Sequence, residues 1–192
     1  MLTYSEMLTL HHTALADTTR LVEQAARGPH DIATPCDEWD LAALLSHMIG
    51  QNRGFAAALG DGDADIALYA GPEVTPDGVL GAWEESATAL REAFGRAQPD
   101  APVHLAEFDA QVSASLALGM QFLDTAVHAW DVATALGERF RPDDELVTAT
   151  LAIARQVPGG PAREQPGASF APQRPVDGRD DWHDALALLG RG

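Results

Sequence analysis

Asp124 and His128 stand four residues apart in a stretch that reads as helix, so both side chains leave the same face with Cβ atoms about 5–6 Å apart. A carboxylate and an imidazole placed this way can grip one divalent cation together. Asp131, three residues after His128, falls on the same stripe. There it either supplies a further ligand or accepts the second ring N–H of His128 and so fixes its tautomer. A separate helical stretch offers His47 at the edge of its apolar stripe, beside Ala43, Gly50 and Gly54. These small neighbours let another backbone or a ligand come close. Two imidazoles and one carboxylate make the three-ligand set that zinc uses when a position stays open for water or substrate, and nickel or iron accept the same donors. Spacing alone leaves a plainer reading open, because such pairs also form as hydrogen-bonded neighbours in acidic helices.

Other residues have two readings each. His12 lies near Leu8 and Leu15, either lining a pocket or sitting in the core bonded to a backbone group. Trp39 and Trp130 are core anchors or an aromatic wall for a substrate. Gln51 and Arg53 follow His47 along its helix and could orient an anionic substrate, Arg53 alternatively forming a surface ion pair. Cys36 precedes a helix N-terminus, which favours thiolate, yet no matched base is evident. His11, His30, His104 and His183 lack partner spacing and are read as surface or loop residues. Asp61, Asp63 and Asp65 have no Glu at the twelfth loop position, so a solvated turn is expected rather than a calcium loop.

Composition narrows the chemistry. The 29 acidic residues against 12 basic ones give a formal charge of −17, which repels phosphate backbones and anionic lipid. Every basic residue is Arg, so lysine Schiff bases and a phosphate-loop lysine are excluded. One cysteine permits no internal disulfide, and the start lacks a basic-then-apolar leader; both fit a soluble cytoplasmic chain with neither nucleic acid nor membrane as partner.

The elements that must position these residues are helices. Leu8, Leu15, Val22 and Ala26 place a first helix over 4–27. Asp40 is a fitting N-cap for a second, running to about Leu59. Residues 60–76 are polar and rich in breakers, too long for a tight turn, and read as a crossover. A third helix follows over 77–97, stopped by Pro99 and Pro102. The segment 103–106 is a short extended piece with no obvious partner. A fourth helix spans 111–136 with Val112, Leu116, Leu123, Val127 and Trp130 on one side. A fifth begins around Pro142 and runs to Val157. Five prolines and four glycines in 158–180 forbid a long helix there, and 181–189 suits a short amphipathic one. We expect an all-α bundle over 1–157, with 158–192 as a Pro/Gly-rich tail and short helix packed on the same domain.

Thr34-Pro35-Cys36-Asp37-Glu38-Trp39-Asp40, followed by Leu44-Leu45-Ser46-His47, resembles the second-helix signature of the DinB-like metal-binding superfamily. The likeness is to the branch typified by the mycothiol-dependent maleylpyruvate isomerase N-terminal domain. Val127-His128-Ala129-Trp130-Asp131-Val132-Ala133 through Gly137 is similar to that branch's His-x-Trp-Asp-Leu-Ala stretch. Gly167-Ala168-Ser169-Phe170-Ala171-Pro172 and the closing Ala185-to-Arg191 segment resemble the tail of its small members. The resemblance implies a four-helix bundle of up-down-down-up connectivity. It also implies a divalent metal, zinc or nickel, held by a second-helix His and a fourth-helix pair, which selects His47, Asp124 and His128. Asp124 departs from the branch, which carries Glu, by one methylene. The implied chemistry is thiol transfer or isomerisation of a small electrophile with mycothiol as co-substrate, in a chain that could pair as a homodimer. The alternatives are a non-catalytic or stress-related metal-binding module, and a bundle with no metal.

Overall fold

Three of the four bundle helices start where a side chain takes up an orphan N–H group. The structure, a computed structural model, describes residues 2–36, 39–165 and 168–192; Asp37, Glu38 and Gly167 of the sequence motifs lie outside the described residues. Helix α1 (Tyr4–Ala25) opens with a capping box in which Thr3 and Glu6 satisfy each other's backbone N–H. Helix α2 (Leu41–Asp61) is capped by Asp40 as predicted, its carboxylate accepting from the Ala43 N–H at 2.8 Å. Helix α3 (Pro76–Arg96) has proline in its first turn, where the missing N–H costs nothing.

The extended piece after α3 does have a partner. Strand β1 (Pro102–Leu105) pairs antiparallel with β2 (Ala110–Ser113), His104 facing Gln111 and Val103 facing Val112. Gln111 and Val112 therefore belong to a hairpin, not to the fourth helix. Helix α4 (Ala114–Ala135) begins three residues later than its periodicity suggests, capped by Ser113. Leu116, read as core, is 55 % exposed at the open start of α4. The fifth helix, α5 (Asp144–Ala154), starts after Pro142 rather than at it. Helix α6 (Asp181–Leu188) lies where expected.

Two apolar clusters give the connectivity. The first joins Leu21 and Val22 of α1, Leu44 and Leu45 of α2, Val79 and Trp83 of α3, and Val132 of α4. The second joins Phe55 and Ala58 of α2, Leu90 and Phe94 of α3, and Ala117 and Leu118 of α4, with Tyr4 and Leu8 of α1 packed on it. The early halves of α2 and α3 thus share one layer with the late halves of α1 and α4. Helices α2 and α3 run parallel, opposite to α1 and α4, which is the up-down-down-up arrangement of a DinB-like all-α bundle.

Parallel neighbours require a crossover, and small residues seat it. A Cβ on Gly50 would collide with the Tyr69 carbonyl, and one on Gly54 with the Tyr69 ring. Ser46 Oγ donates to the Pro72 carbonyl at 2.6 Å. The small positions beside His47 therefore admit the protein's own backbone.

The chain divides into two compact units, Met1–Phe140 and Arg141–Gly192. In the second, α5 and α6 pack together. Arg163 there donates to the carbonyls of Val157, Pro158, Ala171 and Leu188, gathering a proline-rich segment that has few backbone bonds of its own. Among the described residues no helix is long and apolar enough to cross a membrane.

Two of the histidines expected at the surface or in loops are buried, one of them in a loop. His30 closes the end of α1, its Nε2 lying 3.1 Å from the Ala25 carbonyl. His11 is fully buried between helices, edge-on to Phe94 at 5.5 Å, and neither ring nitrogen has a hydrogen-bond partner among the described residues. Burial first, then the charges of His12 and Arg91, press its pKa down to about 3. The unfolded chain takes up a proton here below about pH 6.5, whereas the folded chain does so only near the depressed value. Stability is therefore whole at neutral pH and is lost as pH falls through that window. His11→Leu should remove about 2 kcal/mol of the loss between pH 7 and pH 5. Urea midpoints of both proteins at the two pH values check this, and identical slopes would refute it.

Candidate metal centre

The centre is built where α2 faces α4. His47 is on the second turn of α2, Asp124 and His128 lie one turn apart near the middle of α4, and the three donor atoms all lie within 4.8 Å of one another. His128 Nε2 is 3.3 Å and His47 Nε2 3.9 Å from the same oxygen, Asp124 Oδ1. The two imidazole rings meet edge to face with centroids 5.2 Å apart. Tetrahedral zinc with ligands at 2.0–2.2 Å needs donor spacings of roughly 3.3–3.5 Å. The His128–Asp124 spacing already has that size, and the His47–Asp124 spacing exceeds it by roughly half an ångström.

His128 is held from its other side. Its Nδ1 lies 2.9 Å from Asp131 Oδ2, and Asp131 is fully buried. With Nδ1–H given to Asp131, Nε2 points its lone pair at the shared centre, the orientation metal-binding histidines need. In the ion-free chain burial opposes charge on His128. The carboxylates of Asp124 and Asp131 override it and hold the imidazolium well above the usual histidine range. Burial likewise opposes ionisation of Asp124, yet the charge and hydrogen bond of His128, with those of His47, keep it below the usual carboxylate range.

The surroundings sort the remaining candidates. Trp39 stacks on His47 at 4.6 Å between centroids and lies 6.3 Å from the His128 ring, so it walls the centre. Trp130 is half-buried on α4. His12 lies beside His11 on α1 within the field of Arg91, in other company than the three metal candidates. Arg53 reaches Glu85 of α3 at 3.8 Å, the surface ion pair expected of it.

Gln51, one turn beyond His47 and buried, donates from Nε2 to Glu107 Oε1 at 3.0 Å. Glu107 belongs to the 3-10 turn at the hairpin tip, and sequence reasoning missed it. Its pKa is raised, by burial first; Gln51 and His47 oppose this and the charge of Asp124 adds to it. No spacing announces Glu107, because only the pairing of β1 with β2 carries it to Gln51. Cys36 was read without a partner, yet its Sγ donates to Asp131 Oδ2 at 3.2 Å.

A sequence model of the mycothiol maleylpyruvate isomerase N-terminal domain matches residues 11–133. Uncharacterised proteins from two Mycobacterium tuberculosis strains are 31 % identical over 166 residues, covering 82 % of this chain and 82 % of theirs. Among solved structures, the mycothiol-dependent maleylpyruvate isomerase superposes with a TM-score of 0.60 at 21 % identity, covering 80 % of this chain and 70 % of that one. A histidine-to-alanine mutant of that enzyme gives 0.59 at 19 % identity over the same shares. At this identity the likeness is one of fold.

Proposed function

Because the chain belongs to the mycothiol maleylpyruvate isomerase N-terminal domain family, we propose that it is a divalent-metal protein that activates a low-molecular-weight thiol, mycothiol, for attack on a small electrophile or isomerisable substrate. The convergence of the His47, Asp124 and His128 donor atoms carries this reading. A divalent ion in that set, zinc first by its donors, supplies Lewis acidity that lowers the pKa of a thiol entering the open position.

The chain's own residues do the rest. His47, Asp124 and His128 would hold the ion, and Asp131, bonded to His128 Nδ1, fixes that ring and leaves Nε2 on the side of Asp124. Trp39 covers the imidazoles and keeps water from that side. Glu107, fixed by Gln51 and with its pKa raised, takes up the thiol proton at a carboxylate oxygen and returns it to the product.

The test uses cobalt as a coloured substitute. The cobalt-loaded chain is expected to develop a thiolate-to-cobalt absorption band on addition of mycothiol, saturating at about one equivalent. Cobalt binding with no such band would show a metal module without thiol chemistry, and the proposal would fall.

A further inference from the structure

His128 has a second set of ligand-type atoms on its other face. Cys36 Sγ lies 3.2 Å from Asp131 Oδ2, that oxygen lies 2.9 Å from His128 Nδ1, and the three donor atoms lie within 4.8 Å of one another. With metal–sulfur bonds of about 2.3 Å and metal–nitrogen bonds of about 2.0–2.1 Å, donors around one ion stand roughly 3.2–3.7 Å apart. Both spacings to Asp131 are already near that size. Asp131 is fully buried and Cys36 half-buried, so an ion entering past the thiol meets a carboxylate shielded from water. The turn carrying Cys36 is held in place: Thr34 Oγ1 accepts from the Cys36 N–H at 3.1 Å and donates to the Trp39 carbonyl at 2.8 Å.

We propose that Cys36, Asp131 and His128 Nδ1 form a second cation site, selective for soft ions such as cadmium over the zinc suited to the first set, and that filling it closes the first. Sulfur and imidazole favour such ions over magnesium or calcium. The cation takes the place of two protons now directed at Asp131. The thiol proton of Cys36 leaves to solvent, and the Nδ1 proton is released while Nε2 keeps or gains one. A neutral imidazole has a single lone pair. Once Nδ1 gives it to the soft ion, Nε2 carries hydrogen and donates to Asp124 Oδ1, 3.3 Å away. The first set then lacks one of its three donors. His128 acts as a pivot, and a soft ion held by Cys36 is an inhibitor of the catalytic centre. This regulatory consequence rests on the function proposed above, whereas the second site itself does not.

Cys36 is the only cysteine, so a thiolate-to-cadmium band in the ultraviolet reports on this site alone. The ion-free protein is titrated with cadmium chloride in the absence of other thiols. Wild type and His47→Ala are expected to develop the band, Cys36→Ser to lack it, and Asp131→Asn to bind about 10–100-fold more weakly. In cobalt-loaded wild type, cadmium should raise the band as the visible cobalt spectrum disappears. No band in wild type, or equal affinity in wild type and Asp131→Asn, overturns the site. A full cadmium band beside an undiminished cobalt spectrum overturns the exclusion. Cobalt binding unchanged in His47→Ala would instead remove the first-site reading and leave the cadmium result standing.

Discussion

Purified without chelator or metal-affinity tag and dialysed against zinc, the wild-type chain is expected to hold about one ion, and His47→Ala or His128→Ala almost none. Loss of one of three protein ligands leaves a bidentate remnant, and the surviving carboxylate and imidazole return to bonding each other across 3.3 Å or 3.9 Å. Asp131→Asn should behave differently. It removes the charge that orients His128 without removing a donor, so affinity falls about 10–100-fold while saturation is still reached. Asp124→Glu restores the residue of the isomerase branch and should retain the ion. Elemental analysis with a competitive chelator titration measures all four. Equal, near-zero content in wild type and His47→Ala would end the metal reading, leaving the bundle untouched.

The second large effect is structural. Gly71 holds φ +72° and ψ 164°, a region essentially confined to glycine, where the crossover presses on α2, and a Cβ there would strike the Ser46 carbonyl. Positive φ costs a non-glycine residue about 1–2 kcal/mol and an overpacked contact about 1–3 more, so Gly71→Ala should destabilise the fold by about 2–5 kcal/mol. Gly81 on α3 has open space around it, and Gly81→Ala should be neutral or gain about 0.4–1 kcal/mol. Urea midpoints of the two variants against wild type decide the matter. A Gly71→Ala protein as stable as wild type would show that the crossover does not depend on this contact.

Helix order, the Asp40 cap and the crossover were legible because each is written in local pattern: a periodic stripe, a capping side chain, a run of breakers. The metal candidates were legible for the same reason in part, since Asp124 and His128 share one helix face by arithmetic. What local pattern misses is partnership across the chain. Val112 continues the apolar stripe of α4 so well that its pairing with Val103 was hidden. The approach of Cys36 to Asp131 and of Glu107 to Gln51 depends on loops whose paths no spacing encodes. His11 falls in register with Leu15, Thr18 and Val22, but its polarity argued for the surface. Register was the better guide, and the mismatch is what makes that position sensitive to acid.

The three candidate ligands come from opposite ends of the folding problem, one on α2 and two on α4, joined only after the crossover, α3 and the hairpin are in place. An unfolded chain has no such pocket, so any ion it captures rewards the native state by mass action. At a free ion level one hundred times the dissociation constant the gain is about 2.7 kcal/mol. If the proposed site fills, starvation for metal would shorten the lifetime of the polypeptide against proteolysis, coupling its abundance to the supply of that ion.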